Sequence, residues 1–211
     1  MIPRPTYIYH ITHVKNLPLI LAAGGLRTCK TLRSEQTSYT DIAYQTLQDR
    51  RADTQVPCGV GGTLHDYVPF YFAPRSPMLF KISKQSEPQH QEGQTPIIHL
   101  VSTIEQVQQA DGRFAFTDGH GIMELTNFYD DLTQLDRVDW QIMNAPYWRD
   151  TVEDNDRKRR RQAEFLVHDF FPWHWVQEIG VKNVTLKSQV EARLSENVPQ
   201  PLVKVMSCWY Y

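Results

Sequence analysis

The chain has 211 residues, 41% hydrophobic and 22% charged, an ordinary globular composition with enough apolar material for one domain. Its formal net charge of −2 excludes a generally basic surface, so any nucleic-acid contact has to be a local patch. Three widely spaced cysteines, Cys29, Cys58 and Cys208, with no C-x-x-C pair, argue against a disulfide framework or a structural zinc site. The first residues lack the apolar core of a signal peptide and no apolar run approaches membrane-spanning length, so the expected location is the cytoplasm.

Aromatic and β-branched residues from Tyr7 to Thr12 predict a strand. From His13 the pattern turns helical: Val14, Leu17, Ile20 and Leu21 share a face, Pro18 lies in the first turns, and Gly24-Gly25 supplies a stop. Asp41 is placed to cap a second helix over 42–51, with Ile42, Ala43 and Leu47 inward and Arg50 and Arg51 at its end, where the dipole favours cations. The glycine-rich loop 57–62 lacks the strand-before, helix-after setting of a phosphate cradle. Residues 68–72 read as a strand in which Pro69 implies an edge position or a strand start, and 74–78 turn the chain. A further strand at 96–101 leads to a helix starting at Ser102 or Thr103 with Ile104 and Val107 inward. Residues 113–116 form a strand ending in the turn cluster Thr117-Asp-Gly-His-Gly121.

Residues 122–156 differ in kind. A helix-like spacing of Leu125, Phe128, Tyr129, Leu132 and Leu135 precedes an irregular, aromatic connection holding Trp140, Asn144, Tyr147 and Trp148, and long connections inside a compact domain are more often functional than idle. A strand at 165–167, a helix at 187–194 and a strand at 203–209 complete the pattern. Short strands interleaved irregularly with helices indicate an α+β fold in a single domain, 1–211.

The polar residues most suited to converge are His10, Thr12, Arg27, Arg51, Tyr71, His120 and Glu164. Glu164 opens the apolar run Phe165-Leu-Val167, and a carboxylate at the mouth of a buried strand is rigid and partly desolvated, able to stabilise a developing positive charge. Five cations, Arg157-Lys-Arg-Arg-Arg161, stand just before it and suit a polyanion, although such runs are usually solvated faces. His120, between two glycines, reads as an exposed and mobile turn residue. No metal-ligand spacing, nucleophile elbow or Walker lysine is present. Two classes remain from the residues alone: a cofactor-using transferase with one key carboxylate, or a nucleic-acid-binding module that uses Arg157–Arg161 and stacks bases on Trp140 and Trp148.

Taken in order, Tyr9-His-Ile-Thr12, Gly25-Leu-Arg27, Arg50-Arg51, the block 68–78 (Val-Pro-Phe-Tyr-Phe-Ala-Pro-Arg-Ser-Pro-Met), Thr117-Asp-Gly-His120 and Ala163-Glu-Phe-Leu-Val167 resemble the DarT family of bacterial toxins. The resemblance runs from residue 7 to about 180. It implies an ADP-ribosyltransferase fold with a split central sheet, and transfer of ADP-ribose from NAD⁺ to a base in single-stranded DNA, which blocks replication. The base is thymidine in the commoner branch and guanosine in another; an acceptor in RNA or protein, or a catalytically inactive nucleic-acid-binding module, is the alternative. No metal is implied, and the implied partner is a DarG-type macrodomain antitoxin that removes the modification. By the same resemblance His10, Ile11 and Thr12 contact the nicotinamide ribose and carboxamide, Arg27 faces the pyrophosphate, and Leu19, Gln48 and Tyr71 lie along the cofactor. Glu164, Arg51 (chosen over Arg50) and His120 form the catalytic set, 34–56 is a helical NAD-binding element, and 120–164 is the substrate-binding loop. Tyr147, Trp148 and Arg149 are then expected to stack on bases or meet phosphates, and Arg75, Arg157 and Arg159 to bind the strand backbone.

Overall fold

The computed structural model describes residues 1–85, 91–194 and 200–211. The first apolar run forms β1 (Tyr7–His13); a 3-10 turn, Val14–Asn16, leads into α1 (Leu17–Ala22), where Pro18 sits in the first turn and its missing N–H costs nothing. Gly24, at φ 72°, ends that helix in the left-handed conformation and directs the chain into β2 (Gly25–Arg27). Thr28 accepts from the Thr31 N–H and caps α2 (Cys29–Ser34), a helix too short for its periodicity to be read from the sequence. The second helix expected at 42–51 begins later, as α3 (Gln45–Asp53). Asp41 does not cap it; its carboxylate closes a local turn by accepting from the Ala43 N–H.

β3 (Tyr67–Tyr71) follows, and Ser76 with Pro77 starts α4 (Pro77–Ser83), where only a turn is expected from the sequence. β4 (Ile97–Thr103) is buried along its whole length, and Thr103 caps α5 (Ile104–Gln109) with Ile104 and Val107 inward, as its sequence predicts. β5 (Phe114–Thr117) pairs with the two-residue β6 (Phe128–Tyr129). The helix-like spacing over 125–135 does not make an α-helix: it resolves into β6 and a 3-10 segment, Leu132–Arg137. Then come α6 (Trp140–Asn144), α7 (Arg157–Arg160), β7 (Glu164–His168), β8 (Phe170–Pro172), β9 (Glu178–Val181), α8 (Val184–Glu191) and β10 (Leu202–Val205). The strand expected at 203–209 stops early and ends in a 3-10 turn, Ser207–Trp209.

Eight strands make one sheet in the order β10-β9-β4-β1-β3-β7-β5-β6, and β2 and β8 form a separate antiparallel pair. Every neighbour in the large sheet is antiparallel except β10 and β9. β1 matches β4 from Tyr7↔Thr103 to His13↔Ile97, but it meets β3 only at Tyr9↔Tyr71, so the sheet opens between β1 and β3. Pro69 therefore lies in a central strand, not at an edge. Its carbonyl accepts from His10 Nδ1 at 2.9 Å across the opening. A strand residue's N–H and C=O point the same way, so its missing donor falls in that opening, where no ladder bond is lost. Behind the sheet, Phe70, Phe116, Phe165 and Phe171 are fully buried, with Phe70 and Phe171 ring centroids 4.6 Å apart, and this packing fixes the strand ends that carry the site.

Candidate active site

Glu164 is the first residue of β7, opposite Tyr71 at the end of β3. Its backbone N–H donates to Thr117 Oγ1 at 2.9 Å, which ties the strand start to the end of β5. The carboxylate is buried and faces Arg51 from the last turn of α3: Nη1 donates to Oε1 at 3.1 Å, and Nη2 lies 2.9 Å from Oε2. The second contact is off the hydrogen-bond direction, so Nη2 is an ion-pair partner with an unused donor. Gly121 N–H donates to Oε1 at 3.0 Å, and a Cβ on Gly121 would sit 3.0 Å from Leu64 and 3.1 Å from that oxygen, so the close approach favours glycine. Burial works to raise the Glu164 pKa, but Arg51, His120 and the Gly121 N–H outweigh it and hold the carboxyl below its ordinary range. For Arg51, burial works to lower the pKa and Glu164 more than offsets it, so the pair stays ionised.

His120 is not an exposed turn residue. Its side chain is largely buried, with Nδ1 3.8 Å from Glu164 Oε1, and burial pushes its pKa down to about 4 despite that carboxylate. His10 is likewise held neutral by burial. Because its Nδ1 donates to the Pro69 carbonyl, the proton is on Nδ1 and Nε2 is left as an acceptor.

These groups wall a cavity of ≈400 Å³, a size suited to a small ligand. His10, Ile11, Thr12, Leu19, Arg27, Gln48, Arg51, Tyr71, His120 and Glu164 all line it. Arg27 is ion-paired to Glu35 at one side, and Gln48 Oε1 accepts from His65 Nε2 at 3.1 Å. Arg50 points elsewhere, donating to the Ile122 carbonyl, which leaves Arg51 as the arginine on the carboxylate. Asn16, on no sequence-based roster, bridges Thr12 Oγ1 and both backbone groups of Thr40, holding the 40–43 segment over β1. A lone asparagine after a strand carries no signal of this. The glycine-rich loop 57–62 does not line the cavity; Gly59 N–H is bound by Asp130.

The residues expected to meet DNA divide sharply. Tyr147 is 82% exposed, and Arg149 is exposed with its guanidinium 5.4 Å over the Phe80 ring. Trp148 is no stacking platform: it is buried, its Nε1 donates to Tyr211 Oη, and Phe80 packs on its edge. Trp140 is buried too, donating to the Leu135 carbonyl. The arginines of the five-cation run are engaged within the fold. Arg157 donates to the carbonyls of Tyr147 and Arg149, Arg159 forks onto Asp156 and reaches Asp118, Arg160 is ion-paired to Asp139 and Asp154, and Arg161 is buried on backbone carbonyls. Only Lys158 of the five has an exposed side chain with no ion pair among the described residues. Arg75 stacks at 4.7 Å on Tyr211, and its Nε is buried without a hydrogen-bond partner.

No group of three or more His, Cys, Asp or Glu among the described residues is placed to hold a metal ion, and no described helix is long and apolar enough to cross a membrane.

An opened mixed sheet with a carboxylate held at a strand mouth on its cavity fits the ADP-ribosyltransferase fold that the resemblance implies, and comparison with known proteins makes the class specific. A family model described as ssDNA thymidine ADP-ribosyltransferase, DarT, matches residues 9–211. A DNA ADP-ribosyl transferase of Thermus aquaticus is 45% identical over 211 residues, covering 99% of this chain and 90% of the relative. Thermus sp. 2.9 DarT superimposes in its complex with ADP-ribosylated ssDNA at TM-score 0.92, with 41% identity over 99% of this chain and 98% of that one. Its complex with NAD⁺ gives TM-score 0.87 and 39% identity over the whole of both chains. A Thermosipho africanus fusion of a DNA ADP-ribosyl transferase with a DNA ADP-ribosyl glycohydrolase is 23% identical over 94% of this chain, which spans 48% of the fusion. The chain belongs to the DarT family, the single-stranded-DNA thymidine ADP-ribosyltransferases.

Proposed function

We propose that this chain binds NAD⁺ in the cavity at the opened sheet and transfers its ADP-ribose to the base of a thymidine in single-stranded DNA, releasing nicotinamide. The observation that carries the residue assignment is the ionised Arg51–Glu164 pair on the cavity wall. The residues fit the dinucleotide: Arg27 supplies a cation for the pyrophosphate, His10 Nε2 an acceptor for a ribose hydroxyl, and Ile11, Leu19 and Tyr71 the apolar walls. Thr12, Gln48 and the helical element 34–56 complete that side. Neutral His10 suits the role, since an imidazolium could not accept.

Breaking the nicotinamide–ribose bond builds positive charge on the ribose. Glu164, fixed by Arg51 and the Gly121 N–H in a desolvated place, is poised to stabilise that charge without reorganising. The thymine ring nitrogen must lose its proton as the new bond forms. Arginine is a poor base, since its pKa stays above about 12. The unused donor of Arg51 Nη2 instead favours the deprotonated base. His120, neutral beside Glu164, borders the place the base would enter, and the loop 120–164 would present the strand. A single strand is the sensible acceptor because pairing would hide that ring edge. The cytoplasm, where bacterial DNA resides, is the location this requires, and a macrodomain glycohydrolase of DarG type is the partner that would reverse the product.

Labelled NAD⁺ offered with single-stranded DNA, duplex DNA, RNA and protein, with mass spectrometry of the products, tests the reading. Transfer to thymidine in the single strand, abolished by Glu164→Ala, is expected. Transfer to RNA or protein in its place would overturn the acceptor. If Arg51→Ala abolished DNA-free NAD⁺ cleavage as fully as transfer, the base-stabilising role would fall.

A further inference from the structure

Three of the five cations gathered before Glu164 are ion-paired within the fold, whereas another group beside the cavity has no ion pair among the described residues. Arg157, Arg159 and Arg160 face Asp118, Asp139, Asp154 and Asp156. Arg75, Lys81, Lys84 and Arg149 form no ion pair among the described residues. They are held by rings. Lys84 Nζ and Arg149 Cζ lie 4.8 and 5.4 Å from the centre of Phe80, Arg75 Cζ lies 4.7 Å from Tyr211, and the two rings meet edge-on at 5.1 Å. Lys81 Nζ sits 4.8 Å over Tyr44, the residue before α3. A ring beneath a cation orients it and covers its apolar stem but leaves the charge unspent. The group also adjoins the site. Met78, in the first turn of α4, lines the cavity and accepts from Tyr71 Oη at 3.6 Å.

We propose that this face of α4, continued by Arg149, is a phosphate track for the DNA that flanks the target base. The inference rests on the DNA reading above and adds Lys81 and Lys84 to it. The strand leaves the cavity past Met78, runs over Lys81 and Lys84, and reaches Arg149, where exposed Tyr147 offers a ring to a flanking base. The six residue steps from Met78 to Lys84 advance about 9 Å along the helix, room for more than one phosphate of a strand. Contacts of this kind grip any flanking sequence, because phosphates carry no base identity.

The double variant Lys81→Ala with Lys84→Ala tests the track by fluorescence anisotropy of a labelled 15-nucleotide strand and of a trinucleotide centred on thymidine. Two lost phosphate contacts lower the slope of log affinity against log salt by about 1.4, roughly 20-fold weaker binding of the long strand at 0.1 M salt. Binding of the trinucleotide, too short to meet both lysines, falls by no more than about 5-fold at 0.1 M salt, and DNA-free NAD⁺ cleavage stays at the wild-type level, which also reports intact folding. A wild-type salt slope overturns the proposal. So does an equal loss on both strands, which would put the lysines at the target base itself. Because the readout is binding, an absence of DNA product in the wild type would sink the functional reading separately and leave this comparison to judge the track.

Discussion

Arg51 and Glu164 are two opposite charges withdrawn from water, and such a pair is a poor way to stabilise a fold. Replacing a buried pair by apolar residues is often neutral or favourable, whereas breaking it strands a charge at about 3–5 kcal/mol. Glu164→Gln should therefore unfold at clearly lower denaturant and lose at least about 100-fold in NAD⁺ cleavage, the scale of losing one preorganised electrostatic group. Arg51→Met with Glu164→Leu should recover most of the stability and none of the activity; if the double variant is as unstable as the single, the pair is structural. The pH dependence follows from the same pair. The folded Glu164 pKa lies below its unfolded value of about 4.3, so its contribution is full above that pH and is lost as pH falls through the folded pKa. The stability gap between wild type and Glu164→Gln should narrow on the acid side of about pH 4. His120 adds a second window. Its folded pKa of about 4 lies below the ordinary 6.5, so the unfolded chain takes up the proton first and stability drains between those two values. His120→Gln should flatten that part of the stability profile in urea titrations; an unchanged slope between pH 6.5 and 4 would mean the ring is solvated.

At the scale of elements, the connection from β5 to β7 is an ordered loop because α7 staples it. Arg159 Nε and Nη2 each donate to Asp156 at 2.7 Å, while Nη1 reaches Asp118 at 2.9 Å and Thr126 Oγ1 at 3.2 Å. Thr126 in turn donates to the His120 carbonyl, and His120 N–H donates to the Arg159 carbonyl. Arg159 thus positions His120 and the Gly121 N–H that reaches Glu164, without touching the cavity. Arg159→Lys cannot fork onto three partners. It should cost about 1–3 kcal/mol and lower kcat roughly tenfold with KM for NAD⁺ unchanged, by steady-state kinetics. A wild-type kcat in Arg159→Lys would show that charge alone suffices. This staple also marks what the sequence could convey. Glu164 was legible because it stands at the mouth of a patterned strand, whereas in the sequence Arg51 is singled out from Arg50 only by the family resemblance. The engagement of 157–161 was not legible, because beside the local Asp154 and Asp156 it uses Asp118 and Asp139, which come from 41 and 21 residues away. Trp148 misleads for the same reason: its partner, Tyr211, is 63 residues distant. α2 and α4, of six and seven residues, are too short to show a helical period, yet each borders the site.

At the scale of the molecule, the opening between β1 and β3 divides the large sheet into β10-β9-β4-β1 and β3-β7-β5-β6. The cavity draws from both halves: His10, Ile11 and Thr12 stand on the first, Tyr71 and Glu164 on the second, and α3 delivers Arg51 across the gap. Among the described residues the backbone pairing across it is confined to Tyr9 with Tyr71, helped by the His10–Pro69 bond and by the His10 ring 5.6 Å from Phe70. A dinucleotide lying in the gap would add contacts to both halves that the unfolded chain cannot make, so NAD⁺ should act as a brace as well as a substrate. At about 100 times its dissociation constant a ligand adds roughly 2.7 kcal/mol. For a chain of this size that raises Tm by about 5–10 °C. The test uses Glu164→Gln so that NAD⁺ is not consumed during the scan. His10→Ala in the same background removes the proposed ribose acceptor and the cross-gap bond together, and should lower Tm without ligand and shrink the NAD⁺-induced rise to a few degrees. Wild-type-sized protection in that variant would mean that NAD⁺ binds to one half of the sheet alone.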